Sequence, residues 1–249
     1  NGHSAFLVDQ PRRGEAGATG TISDDTEFDM WYGELGEDEE KPETATKYQP
    51  GDQAWYTYFR IGKTPEETNP KSQFPEGEEA LNQFLRQATP NTGSYDKAVV
   101  SKALGEVIND VNTLTGNKSI FMAHAQGCST AWDMPVDNIS AIVAIEPLAV
   151  PKSNSVQYKK LLEANIPIVI YFGDYIEEGD EELKSTEYWQ DIRESAIAFA
   201  EQYQEDGGDC TVVDLPGEGI KGNSHFLFQE KNNGEIADLV EKWLKEHNL

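Results

Sequence analysis

Residues 121–129 read FMAHAQGCS, and this stretch decides the fold. Ser119-Ile120-Phe121-Met122-Ala123 is an apolar run of strand length, and His124-Ala125-Gln126-Gly127 follows it as a tight bend. A nucleophile elbow has the form small-x-Ser-x-Gly, in which a strand turns sharply into a helix and lifts a serine hydroxyl clear of the sheet. Ala125 stands where that hydroxyl belongs.

The surrounding sequence supplies the sheet that such an elbow requires. Upstream, DKAVVSKALGEVINDVNTL (96–114) spaces Val99, Val100, Leu104, Val107, Ile108, Val111 and Leu114 at three- and four-residue intervals, which predicts an amphipathic helix ending at Gly116. Downstream, a short helix through Trp132 leads to the apolar strand ISAIVAIEP (139–147). The helix VQYKKLLEAN (156–165) leads to the strand PIVIYFGD (167–174). A helix over about 186–205 precedes the strand CTVVDLP (210–216), and GEIADLVEKWLKEH (234–247) closes the chain as a helix. Near the start, Ser4-Ala5-Phe6-Leu7-Val8-Asp9 reads as a buried strand before the turn QPRRGEAG. Continuous apolar strands alternating with helices predict an α/β fold, a mostly parallel sheet covered on both faces. The 249 residues are taken as one domain, 1–249.

Ligands of such sheets bind beyond the carboxyl ends of the strands. In chain order those ends carry Asp9-Gln10-Pro11-Arg12-Arg13-Gly14, the elbow, Glu146-Pro147, Asp174, and the loop GEGIKGNSHFLFQEKNN (217–233) with His225. Nucleophile, acid, histidine is the chain order of a hydrolytic triad, in which the acid orients the imidazole and the imidazole takes the nucleophile's proton. Glu146 and Asp174 both qualify as the acid. His225 is the candidate base, because His247 falls in the terminal helix and His124 sits under the elbow as a structural residue. The backbone N–H of Gln126 is the expected oxyanion donor. Cys128 and Ser129 are set aside as nucleophiles, since the helix after the bend turns their side chains away; Cys128 reads as a small buried hydrophobe.

VDQPRRGEAG, the elbow, AIEP and GIKGNSH together resemble the α/β-hydrolase superfamily, in particular the esterase 713-like family of bacterial and fungal esterases. That resemblance implies a serine hydrolase acting on a carboxylic ester or lactone through an acyl-enzyme. It places the nucleophile at position 125, the acid on Glu146, with Asp174 as the alternative, and the base on His225. It implies no cofactor.

The chain departs from the family in two places. Ala125 cannot be acylated, so the expectation is an engineered serine-to-alanine change that leaves an inactive variant, with a natural ligand-binding pseudoenzyme as the alternative. An acyl transferase or cyclase using the same triad is a further alternative. The start is the second departure. The strand ending in VDQPRRG resembles the fourth of the family's sheet, and the early strands, with the loop that donates a second oxyanion N–H, are missing from these residues. An associated N-terminal chain or fragment of the same protein is therefore an expected partner, because a sheet without those strands would expose an apolar edge.

Residues 31–94 read as an inserted, lid-like segment. GELGEDEEKPETATKYQPGD (33–52) has the charge of a solvated loop, whereas Trp31, Trp55 and Tyr56 are candidates to line an apolar pocket. Arg12 is a candidate to bind a substrate carboxylate. Acidic residues outnumber basic ones 45 to 20, a net charge of −25, which argues against nucleic acid as a partner. No apolar run is long enough to span a bilayer. No closely spaced ligand set suggests a metal, and Cys128 and Cys210 are expected as free thiols. Residue 1 is Asn and no signal peptide is visible, so the chain reads as processed, trimmed or incomplete, with a secreted or periplasmic location preferred.

Overall fold

The computed structural model describes residues 2–11, 57–64, 67–77, 79–80, 83, 95–177 and 184–249. Two short antiparallel strands, β1 (Gly62–Thr64) and β2 (Glu67–Thr68), precede the helix α1 (Lys97–Thr115). The chain then alternates: β3 (Ser119–His124), a 3-10 turn (Ala125–Gly127) running into α2 (Cys128–Ala131), β4 (Ile139–Ile145), α3 (Val156–Glu163), β5 (Ile168–Phe172), α4 (Lys184–Glu205), β6 (Cys210–Asp214) and α5 (Asn233–Glu246). The periodicities locate these elements to within about two residues at most ends, apart from the terminal strand noted below.

Strands β3 to β6 form one parallel sheet in the order β3-β4-β5-β6. Their continuous apolar runs are explained by burial on both faces. Ile142, Ala144, Ile168, Ile170 and Phe172 pack with Leu104 and Ile108 of α1 and Trp189, Ala196 and Phe199 of α4. Ala141, Val143, Ile145, Val169 and Tyr171 face the other way, onto Ile236, Val240, Trp243 and Leu244 of α5. The even-odd division follows from the two-residue period of a strand. Helix α1 is capped at both ends, with Gly116 as the stop its sequence predicts. Asp96 accepts hydrogen bonds from the N–H groups of Ala98 and Val99 at 3.1 and 3.2 Å, and Gly116 closes the helix in the left-handed region at φ 72°.

One expected element does not form. Ser4–Asp9 is not a buried strand: it has no ladder partner among the described residues, and Leu7 is 100% exposed, with Phe6 and Val8 also exposed. Its apolar pattern is that of a strand, but a strand exists only when a neighbour supplies hydrogen bonds, and β3 pairs only with β4 among the described residues. Met122, on that outer strand, is 53% exposed. The chain from here nevertheless reaches the elbow. Gln10 Nε2 lies 3.1 Å from where a Cβ on Gly127 would sit, so the Gln10 side chain stands close over the glycine of the bend.

Candidate active site

Parallel register fixes the heights of the candidate residues before any side chain is considered. His124 pairs with Ile145, so Ala125 and Glu146 are the next residues on adjacent strands and stand level beyond the carboxyl end of the sheet. Both bend out of the strand in the left-handed region at φ 49°. A residue with a Cβ is strained there, by about 1–2 kcal/mol. This is the sharp turn that an elbow requires.

His225 comes to these two strand ends from the loop after β6. Its Nδ1 lies 3.1 Å from Glu146 Oε2. Its ring meets that of His124, the residue before Ala125, at a centroid distance of 4.4 Å, and its carbonyl accepts a hydrogen bond from His124 Nε2 at 2.9 Å. Glu146 is 0% exposed and His225 1%. With Glu146 ionised, only a protonated Nδ1 makes this contact a hydrogen bond, so the neutral imidazole presents a bare Nε2. That Nε2 is buried and has no hydrogen-bond partner among the described residues.

Glu146 spreads its two oxygens over three donors. While Oε2 faces His225, Oε1 accepts from Arg60 Nη2 at 2.6 Å and from the Gly173 N–H at 2.6 Å. Burial by itself would raise the Glu146 pKa, but the Arg60 charge and the His225 and Arg60 hydrogen bonds together hold it down at about 2. His225 is held below the ordinary histidine range by burial, against the pull of Glu146. His124 is held at about 3 by burial and then by the neighbouring His225. It is therefore a neutral donor that fixes the His225 backbone, in keeping with a structural residue under the elbow.

Asp174, the alternative acid, is engaged elsewhere. Its Oδ1 accepts from the Tyr175 N–H and its Oδ2 from the Gly222 N–H, both at 2.8 Å. Asp174 thus ties β5 to the histidine loop, whereas Glu146 touches the histidine itself. Cys128 is buried against the carbonyls of Ala123 and Ile145 with its thiol pKa raised by burial, and Cys210 is pushed up to about 12 by burial and Asp209. Both are free, as expected: Cys128 opens α2 just past the end of β3, and Cys210 starts β6. Gln126, the expected oxyanion donor, follows Ala125 in the 3-10 turn. The candidates Arg12, Trp31, Trp55 and Tyr56 lie outside the described residues, as do Arg13 and most of the lid-like segment.

Sequence reasoning missed five contributors. Arg60 is buried and reaches Glu146 from 86 residues away. Phe59 stacks on the imidazole at a centroid distance of 5.0 Å and Trp189 packs on it at a tilt at 4.7 Å, and Phe59 O accepts from the His225 N–H at 3.1 Å. Gly173 allows β5 to pass under the histidine loop, because a Cβ there would lie 2.7 Å from the carbonyls of Asn223 and Ser224. Buried Glu230 holds that loop, accepting from the Ser224 N–H at 2.8 Å and from Asn223 Nδ2 at 2.7 Å. Residues 57–61 of the 31–94 segment thus stand against the Glu146–His225 pair. A cavity of about 400 Å³ opens on the Arg60 side, lined by Gly173, Asp174, Tyr175 and Lys221; neither Ala125 nor His225 lines it. Among the described residues no cluster of His, Cys, Asp or Glu is arranged to hold a metal ion, and no helix is long and apolar enough to cross a membrane.

No family model matches the chain. Over 46 residues, 18% of this chain and 13% of the relative's length, it is 48% identical to a probable secreted lipase, phiG, of a fungal species. A bacterial esterase of known structure superposes with a TM-score of 0.68 at 24% identity, covering 92% of this chain and 67% of that one. A CIB-like hydrolase of Thermoplasma acidophilum, at 16% identity over 59% of this chain and 60% of that one, has a TM-score of 0.35, too low to bear on the fold.

Proposed function

The chain has the α/β-hydrolase fold, and we propose that it is the body of a serine carboxylic ester hydrolase, acting on an ester or lactone, whose nucleophile position is occupied by Ala125. The carrying observation is the Glu146–His225 pair with a bare Nε2 beside a left-handed bend at position 125. In the form bearing a serine, Nε2 takes the hydroxyl proton as the oxygen attacks the substrate carbonyl. Glu146 holds the tautomer and balances the imidazolium. The Gln126 N–H stabilises the oxyanion, and His225 returns the proton to the leaving alcohol. Water then repeats the sequence on the acyl-enzyme.

As it stands, the chain can bind but cannot be acylated. The names of the lipase and esterase relatives agree with ester chemistry, and that of the secreted lipase with a location outside the cytoplasm. Ala125 itself favours the second reading, a binding protein that uses the same pocket without turnover. Ala125→Ser separates the two. The hydrolase reading expects p-nitrophenol release from a short p-nitrophenyl ester about 10³-fold or more above the Ala125 chain. A folded Ala125→Ser protein inert toward esters and lactones alike sinks it.

A further inference from the structure

We propose that Arg60 is a positioning residue for the acid–histidine pair: its guanidinium fixes one oxygen of Glu146, and its charge sets the pH at which His225 takes up a proton. This rests on the acid and base roles assigned above. Arg60 is buried, yet three separate features aim it. Nη2 donates to Glu146 Oε1 at 2.6 Å, Nε donates to the Asp174 carbonyl at 3.0 Å, and the guanidinium carbon stands 4.4 Å from the Trp189 ring centroid. Its own backbone is left-handed at φ 59°, a conformation a residue with a side chain adopts only when its surroundings impose it.

The contacts divide the work of the carboxylate. Because Oε1 is taken by Arg60 and the Gly173 N–H, Oε2 is left for Nδ1 of His225, and the carboxylate cannot rotate without breaking charge-assisted bonds. Only a planar fork meets a carboxylate, a carbonyl and an aromatic face together; an ammonium does not. Trp189, which carries the guanidinium, also packs on the His225 ring, so one side chain braces both partners of Glu146.

The charge count gives the direction of the pH effect. Arg60, Glu146 and neutral His225 sum to zero in a buried site, and a proton on His225 would leave an unbalanced positive charge. Without Arg60 the pair is negative, and the same proton neutralises it. The proton affinity of the pair therefore rises when Arg60 is lost. The other ionisable neighbours do not change this sign: His124 from β3 is neutral, Asp174 after β5 is spent on backbone N–H groups, and Glu230 is spent on the Ser224 and Asn223 donors.

The test is an NMR titration of the His225 imidazole in the chain as it stands, which needs no turnover. Arg60→Met is expected to raise the pH of half-protonation by about one unit or more, and Arg60→Lys to leave it within about half a unit. In the Ala125→Ser background the acid limb of kcat/KM follows the same pattern, and Arg60→Lys lowers kcat about tenfold with KM held. A folded Arg60→Met protein that titrates at an unchanged pH overturns the proposal. Should Arg60→Met not fold, Arg60→Gln, uncharged but still a donor, is read in its place with the same criterion. Inertness of Ala125→Ser would count against the hydrolase reading alone, because the titration is measured without it.

Discussion

Gly173→Ala places a methyl group where the acid and the histidine loop meet. A Cβ there falls 2.7 Å from Asn223 O, 2.7 Å from Ser224 O and 3.1 Å from Glu146 Oε1, whereas ordinary contact begins at 3.4 Å. The closest neighbours are backbone carbonyls, so relief requires either the loop or the end of β5 to retreat by about 0.7 Å. Neither is slack: Asn223 O accepts from the Asp174 N–H at 2.7 Å, and the Gly173 N–H is committed to Glu146 at 2.6 Å. Overpacking of this kind costs about 1–3 kcal/mol. For a chain of this length each kcal/mol lowers Tm by about 2–4 °C, so the expected fall is about 2–12 °C. Scanning calorimetry on the Ala125 chain measures it without any need for activity. In the Ala125→Ser background the displaced His225 is expected to cost up to about 10²-fold in kcat. An alanine variant with the parent's Tm and, once armed, the parent's kcat would refute the claim that close approach is why glycine stands there.

Two further outcomes follow from the same geometry. In the Ala125→Ser background Glu146→Gln is expected to lower kcat by about 10⁴-fold, the cost of losing the partner that fixes the tautomer. Asp174→Asn is expected to cost about tenfold or less, as its oxygens serve only the Tyr175 and Gly222 N–H groups; the reverse ranking would make Asp174 the acid. His124 is held at about 3 against an ordinary 6.5, and His225 is also lowered, so below about pH 6.5 the unfolded chain binds more protons than the folded one. Stability then declines as pH drops from 6.5 toward 3. Glu146, at about 2 against 4.5, adds to the loss below 4.5, while the raised Glu230 opposes it. Tm followed from pH 7 to 4 is expected to fall less steeply in His124→Asn than in the parent; equal slopes would remove His124 from the account.

The sheet was legible because doubly covered strands leave a strong trace. Ile139–Ile145 is apolar but for Ser140, Ile168–Phe172 is aliphatic and aromatic throughout, and α1 repeats its core residues at helical spacing up to a glycine stop. The strand ends singled out Ala125, Glu146 or Asp174, and His225 without coordinates, since topology puts the ends of parallel strands together; the preference for Glu146 came from the resemblance, and its contact with His225 is seen only in the structure. Arg60 had no such trace. Its neighbourhood has no helical or strand period, and its partner is 86 residues away, so a buried cation there looks like any charge in a polar loop. Gly173 was equally silent, because its need is a clash with another segment and not a turn of its own. Phe6, Leu7 and Val8 misled in the opposite direction: a β-type pattern records what a segment is able to pair with, not whether a neighbour is there to pair.

The left-handed backbone at Ala125 persists with no hydroxyl to serve. Around it the His124 ring is hydrogen-bonded to the loop beside it, Glu146 is bent alike on the next strand, and the Gln10 side chain lies over Gly127. Such a bend is a mould that keeps its form when nothing is cast in it. On the proposed function, arming this chain takes a single oxygen atom added to a methyl carbon that already stands on the bend.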